Sequence, residues 1–598
     1  MRGVRATASE PAVGHLTLPR RSLSSGRATR GPVGRGPLPL PRHAAERGSA
    51  TGIALFAMLS MARAAFPATV EAEHGMVVSA HRLASEVGVR VLQAGGNAVD
   101  AAVAVGYALA VVDPCCGNIG GGGFMTIHLA DGRETFINFR EAAPMAATAT
   151  MYLGAEGNQI DDLSRHGYLA AAVPGTVMGL DHAGGKYGRL PRAALIAPAI
   201  ALARDGFALS RADTDILDAR ADRFGRDPGA AKIFLRPDGS HLEPGDRLVQ
   251  SDLAATLDLI SRQGPEAFYK GPVAAAVEKA SRENGGILAA GDFAAYTVTE
   301  TPPLTCTYRG YRLVSAPPPS SGGTTMCEIL NILEGYDIAT SGFRSAKSVQ
   351  LMVEAMRRGY RDRNAYLGDP EFVANPVERL LSKDYAASLR TEIARGDTDK
   401  GAPREKSETT HYSVVDVEGN AVAVTYTING YFGAGVVAPG TGFFLNNEMD
   451  DFTVKPGAAN LYGLVQGEPN AIAPGKRPLS SMTPTLVEKD GKVVLVLGSP
   501  GGPRIISTVL ETIMNIVDHA MTAQEAVDAP RLHHQSQPED VYFERSGLSP
   551  EVVTQLTAMG YRLVEQRPWG AVELIEIANR RLRGASDSRL PAGAAAGY

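Results

Sequence analysis

The stretch Thr409–Ile428, TTHYSVVDVEGNAVAVTYTI, leaves the backbone little freedom. Two runs with side chains alternating at period two flank Val417-Glu418-Gly419, and a three-residue loop ending in glycine suits a type I turn closed by a left-handed residue. That turn pairs Asp416 with Asn420. Counting outward along both strands sets Thr409 opposite Thr427, where facing side chains lie about 5 Å apart on one face. Asn429 falls on the same face, two residues further on. The preceding segment, ARGDTDKGAPREKSE, is polar, with Gly and Pro, and reads as an exposed loop where a chain can be cut. Threonine pairs are ordinary in sheets. A cut before Thr409, however, would place an α-amine of pKa about 7.7–8.0 on the residue that carries the hydroxyl. That amine is the base a threonine nucleophile needs.

The rest of the chain predicts a mixed α/β fold. AHRLASEVGVRVLQAGG reads as an amphipathic helix stopped by Gly95-Gly96. NAVDAAVAVGYALAVVDP, with Asn97 as N-cap and Pro114 as terminator, is apolar on every face and so belongs in an interior. Gly120 to Gly123 lack the spacing of a dinucleotide loop and the lysine of a P-loop, so tight backbone packing is expected there. Residues 190–360 look mostly helical, and strands return after residue 408.

With 598 residues, two lobes or one large composite domain are expected. A net charge of −5 with 21% charged residues gives no basic stripe, which excludes a nucleic-acid partner. Residues 1–50, rich in Arg, Pro, Gly and Ser, form a leader that cannot bury enough surface to order itself. Residues 51–65 hold an apolar run of about ten residues before Ala62-Arg63-Ala64, a secretory signal too short to span a bilayer. The mature protein is therefore expected in the periplasm or outside the cell, without a membrane span. Four cysteines make no framework: Cys115 and Cys116 are expected not to pair, and Cys306 and Cys327 could pair, with buried thiols the expected state. His533-His534 lack partners at metal-ligand spacing and read as structural. No G-x-S-x-G elbow or H-E-x-x-H site occurs, and neither a cofactor nor a metal is expected.

From about Pro67 onward the chain resembles the γ-glutamyltransferases (γ-glutamyltranspeptidases, or glutathione hydrolases) of the N-terminal nucleophile hydrolase superfamily. The resemblance rests on GNIGGGGFM, FREAAP, TTHYSVVD, VTYTING, NNEMDDF, KRPLSSMTPT and GSPGGPRI, in the family's order. It implies an αββα sandwich built from two chains after self-cleavage between Glu408 and Thr409: a large chain, 66–408, and a small chain, 409–598. It further implies Thr409 as nucleophile, Thr427 as its support, and Gly501 and Gly502 as oxyanion donors. Asn429, Glu448 and Asp451 would hold the substrate's α-ammonium; Arg140, Ser480 and Ser481 its α-carboxylate; Tyr462 would cover the pocket. Glu448 stands where some relatives have Gln, and Gly430-Tyr431 follow the asparagine of the motif. The implied substrates are glutathione and other γ-glutamyl compounds, with water, amino acids or peptides as acceptors. A glutaryl or cephalosporin acylase is the alternative enzyme, and an inactive secreted binding protein the alternative of another kind.

Overall fold

The computed structural model describes residues 69–160, 162–395 and 409–598. The leader, the apolar run and Glu408 lie outside the described residues.

Two seven-stranded sheets, each with antiparallel neighbours, form the centre. The first runs Ala594–Gly597, Met76–Ser79, Thr410–Val415, Ala421–Thr427, Gly122–His128, Glu134–Phe139, Thr299–Thr301. The second runs Val70–Ala72, Arg581–Ser586, Glu573–Ala578, Lys492–Leu497, Thr485–Lys489, Tyr311–Ser315, Leu304–Tyr308. Side-chain alternation along each strand explains the layering. In the first sheet Val77, Tyr412, Val414, Val422 and Val424 pack against helices. Their neighbours Met76, Val78, Val415, Ala421 and Ala423 meet Val314, Leu486, Val496 and Ile575 of the second sheet. The second sheet's other face packs Leu313, Val487, Leu495 and Leu574 against the helices Gly322–Leu333, Ala346–Tyr366 and Arg504–Val517. The order is helix, sheet, sheet, helix, as expected.

The all-apolar segment is the helix Ala98–Val112, with every residue buried. Asn97 caps it, accepting from Val99 and Asp100, while Asp100 reaches back to the Asn97 N–H. Such a capping box suits a helix start that has no water to satisfy it. Asp416, at the hairpin turn, accepts from the Ala98 N–H at 2.9 Å, which ties the turn to the helix. Gly419 has φ +94°, and the ladder pairs Val415 with Ala421 through Thr410 with Tyr426, the register that places Thr409 opposite Thr427. The four glycines serve close packing: a Cβ on Gly121 would sit 2.0 Å from the Thr427 carbonyl oxygen, and one on Gly120 2.1 Å from that of Phe444.

The cysteine expectations need correcting. Cys306 and Cys327 form a disulfide with their Cα atoms 6.1 Å apart. One lies on the strand Leu304–Tyr308 and the other on the helix packed over it, a proximity that a separation of 21 residues did not reveal. Cys115 and Cys116 are also bonded, in the turn after Pro114 where the chain leaves the buried helix. The region read as mostly helical contributes three strands to the central sheets, Thr299–Thr301, Leu304–Tyr308 and Tyr311–Ser315, and a two-stranded pair, Phe207–Ala208 with Arg247–Leu248. They are short strands whose pattern the flanking helices obscure.

Candidate active site

The face between the sheets turns polar toward one end of the hairpin. Val415 and Ala421 are apolar, but His411 pairs with Thr425 and Thr409 follows with Thr427. His411 is fully buried, its ring nitrogens within 2.8 Å of the Thr425 hydroxyl and 3.1 Å of the Ser413 hydroxyl. Burial lowers its pKa to about 3, so it is neutral at working pH and fills a polar gap. The Thr409 hydroxyl donates to that of Thr427 at 3.4 Å. Thr427 in turn accepts from the Asn429 N–H at 2.8 Å, with Asn429 at φ +75° where the chain leaves the strand. Asn429 thus joins the threonines by turning, although the sequence placed it on a continuing strand. Thr427→Ala should slow chain cleavage and turnover by roughly tenfold, as expected for one lost hydrogen bond at the reacting hydroxyl. Rate and band pattern on a gel check this; wild-type behaviour would mean the contact is idle.

Thr409 lies in the wall of a small cavity, about 20 Å3, shared with Arg140, Asp451, Tyr462, Ser480 and Gly502. Thr427, Asn429 and Ser481 line it too, so the site residues named from the sequence converge here. Glu448 and Gly501 are the exceptions. Glu448 is fully buried beside Arg140, its Oε2 2.8 Å from Nη1, and Gly501 faces a second, larger cavity. Tyr462 donates its hydroxyl to the Asn429 Oδ1 and lines the same cavity. Gly501 (φ +139°) and Gly502 (φ +49°) adopt backbone angles that other residues rarely take, just before the helix Arg504–Val517.

The charges do not balance. Arg140, 1% exposed, meets three carboxylates: Glu141 at 3.3 Å, Glu448, and Asp451, which accepts from Nη2. The groups assigned to opposite ends of a substrate are paired with each other. Burial, against the pull of Arg140, holds the carboxyls of Glu141 and Glu448 above the ordinary 4.5. The native state keeps protons that the unfolded chain releases near that value. This contribution to stability is complete below pH 4.5 and is lost as pH rises through the elevated native values. A bound ammonium would offset that loss. L-Glutamate should therefore raise Tm more at pH 7 than at pH 5. Glutarate, lacking the ammonium, should show no such growth, and equal behaviour of the two would refute the charge argument.

Arg363 is the residue the sequence did not flag. It comes from the helix Ala346–Tyr366 and donates to Ser481 Oγ (3.0 Å), Ser321 Oγ (2.9 Å) and Gln466 Oε1 (3.1 Å). Burial lowers its pKa to about 10, still charged at neutral pH. Its only outward signal was being one of the two arginines in YRDRNAY. His533 and His534 are buried among Ser507, Gln535 and the Asp540 carbonyl, away from this wall.

Two sheets packed face to face between helical layers, with a threonine hydroxyl at the end of a central strand, define an N-terminal nucleophile hydrolase fold. The solved cephalosporin acylase of Bacillus halodurans superposes with a TM-score of 0.80 at 27% identity, covering 91% of this chain and 99% of that one. The family described as Gamma-glutamyltranspeptidase matches residues 84–597, and the chain belongs to it. The glutathione hydrolase proenzyme of Pseudomonas sp. strain A14 is 52% identical over 562 residues, 91% of this chain and 98% of that protein. The acylase ACY 1 proenzyme of Pseudomonas sp. strain SE83 is 43% identical over 501 residues, 82% and 87% respectively. The chain is an enzyme of this family.

Proposed function

We propose that the chain is cut between Glu408 and Thr409 and then acts as a γ-glutamyltransferase and glutathione hydrolase with Thr409 as nucleophile. The freed α-amine takes the Thr409 hydroxyl proton as Oγ attacks the γ-carbonyl carbon. The negative charge that develops on the carbonyl oxygen is met by the N–H groups of Gly501 and Gly502. The C–N bond then breaks, the leaving amine carries off the proton, and a γ-glutamyl ester remains on Thr409. Water or an amino group repeats the attack and restores the hydroxyl.

The observation that carries this reading is the surplus of carboxylates around Arg140 beside the threonine pair. An α-amino-acid head group would slot between Arg140 and Asp451. Its carboxylate takes the arginine with Ser480 and Ser481, and its ammonium takes Asp451 and Asn429, with Glu448 supporting from behind. Charge-assisted bonds of this kind are about twice as strong as neutral ones. A glutaryl side chain would leave the acidic half of the wall unanswered, which disfavours the acylase alternative. The disulfides suit an oxidising compartment, which supports a periplasmic or secreted location. Among the described residues no helix is long and apolar enough to cross a membrane. The test offers wild-type enzyme γ-glutamyl and glutaryl amides of one amine. The γ-glutamyl amide should be cleaved faster; a glutaryl preference would replace this reading with the acylase one.

A further inference from the structure

The bond between Cys115 and Cys116 adds little to folding. A disulfide stabilises mainly by closing a loop in the unfolded chain, and a link between sequence neighbours closes none. Its place in the molecule gives it another role. Both cysteines line the larger cavity, about 630 Å3, together with Thr409, Thr410 and Tyr431. A small molecule that enters this space meets the sulfurs as well as the nucleophile's residue. The Cys306–Cys327 bond differs: Cys327 is fully buried in the helix Gly322–Leu333, and neither cysteine lines the cavity.

The surroundings suit thiol chemistry. Asp113 Oδ1 lies 3.2 Å from Cys115 Sγ, and both residues are buried. Burial pushes the Asp113 carboxyl up to about 8, so at neutral pH it is mostly protonated and can give a proton to a departing thiolate. The pair is also joined to the strand that carries Thr427. The Cys115 carbonyl accepts from the Phe432 N–H at 3.0 Å, just beyond Asn429. The Asp113 carbonyl accepts from the N–H groups of Cys116 and Gly117 at 3.1 and 2.8 Å, which closes the turn. Opening the S–S bond loosens that turn and with it the anchor on Phe432.

We propose that Cys115–Cys116 is a redox site for small thiols and dithiols, and that its reduction slows the chemistry at Thr409. A dithiol ionises, and its thiolate attacks Cys116 Sγ; the S–S bond breaks and Cys115 leaves as a thiolate that takes the Asp113 proton. The second thiol of the reagent returns a proton to Asp113 and attacks the mixed disulfide. The reagent closes to a cyclic disulfide, and Cys116 leaves as a thiolate that takes up the proton released at the first ionisation. Two electrons and two protons have passed from the dithiol to the protein. The site stands apart from the transferase reading; only the rate effect draws on it.

The experiment treats the folded protein with dithiothreitol and follows p-nitroaniline release from γ-glutamyl-p-nitroanilide. In parallel, free thiols are alkylated with iodoacetamide under native conditions and located by mass analysis of peptides. Cys115 and Cys116 should both be labelled after reduction and neither before it. The rate should fall about three- to tenfold, the range of one lost hydrogen bond at Phe432, and return on reoxidation with diamide. Cys115→Ser/Cys116→Ser, which keeps the Cys306–Cys327 bond, should not respond to dithiothreitol. Label on the pair before reduction, no label after it, an unchanged rate, or an equal response of the double variant each overturns the proposal. If untreated protein releases no p-nitroaniline, the transferase reading fails, and the labelling alone decides whether the pair reacts with small thiols.

Discussion

Purified wild-type protein is expected to run as two bands on a denaturing gel, and Thr409→Ala as one uncut, inactive chain. Residues 409–598 number 190 of 598, so at 62.9 kDa for the whole the small chain should be about 20 kDa. The large chain, from about Ala65, should be about 36 kDa by the same proportion. N-terminal sequencing of the small chain should read Thr-Thr-His-Tyr. The alanine variant removes the attacking oxygen for both cleavage and turnover while the buried wall stays, so activity should fall by about 10^4-fold or more. The nicked chains should not separate. The strands that follow Thr409 sit between Met76–Ser79 and Gly122–His128, and the second sheet likewise mixes strands from both sides of the cut. Separation would expose the core between the sheets, so one species is expected on gel filtration. A fully active single chain would end the mechanism.

The legible parts of the molecule were those where local rules leave one answer. The Gly419 turn dictated the hairpin register, and the register dictated the Thr409–Thr427 contact. The helix Ala98–Val112 could only be interior, and the glycines before Phe124 could only be packed. The head-group residues were legible through resemblance, not through spacing: Arg140 lies hundreds of residues before Asp451 and Ser481 and meets them only through the folding of the chain. For the same reason Arg363 and the Cys306–Cys327 bond stayed hidden. Each depends on which helix face meets which strand, and no local pattern encodes that. The mutual pairing of Arg140 and Asp451 was hidden differently, since a list of substrate contacts says nothing of how those groups satisfy one another when the pocket is empty.

That pairing shapes the expectation for Asp451→Asn. The variant keeps the side-chain shape and removes one charge. Losing Asp451 also removes a repulsion that helps hold the carboxyls of Glu141 and Glu448 up, so these can ionise beside Arg140, no buried cation is stranded and the fold should hold. The substrate ammonium, in contrast, loses its nearest carboxylate inside a closed wall. A charge-assisted hydrogen bond is worth about 1.5–3 kcal/mol, so kcat/KM for a γ-glutamyl amide should fall by roughly one to two orders of magnitude. A glutaryl amide brings no ammonium, and its rate should change little or rise, because the wall now repels its distal carboxylate less. Chain cleavage should survive, since it acts on the Glu408 carbonyl and needs no bound head group. Measuring both amides with both enzymes decides the matter. Equal losses on the two substrates would show that Asp451 serves the fold or the threonine, not the ammonium, and the γ-glutamyl reading would lose its physical basis.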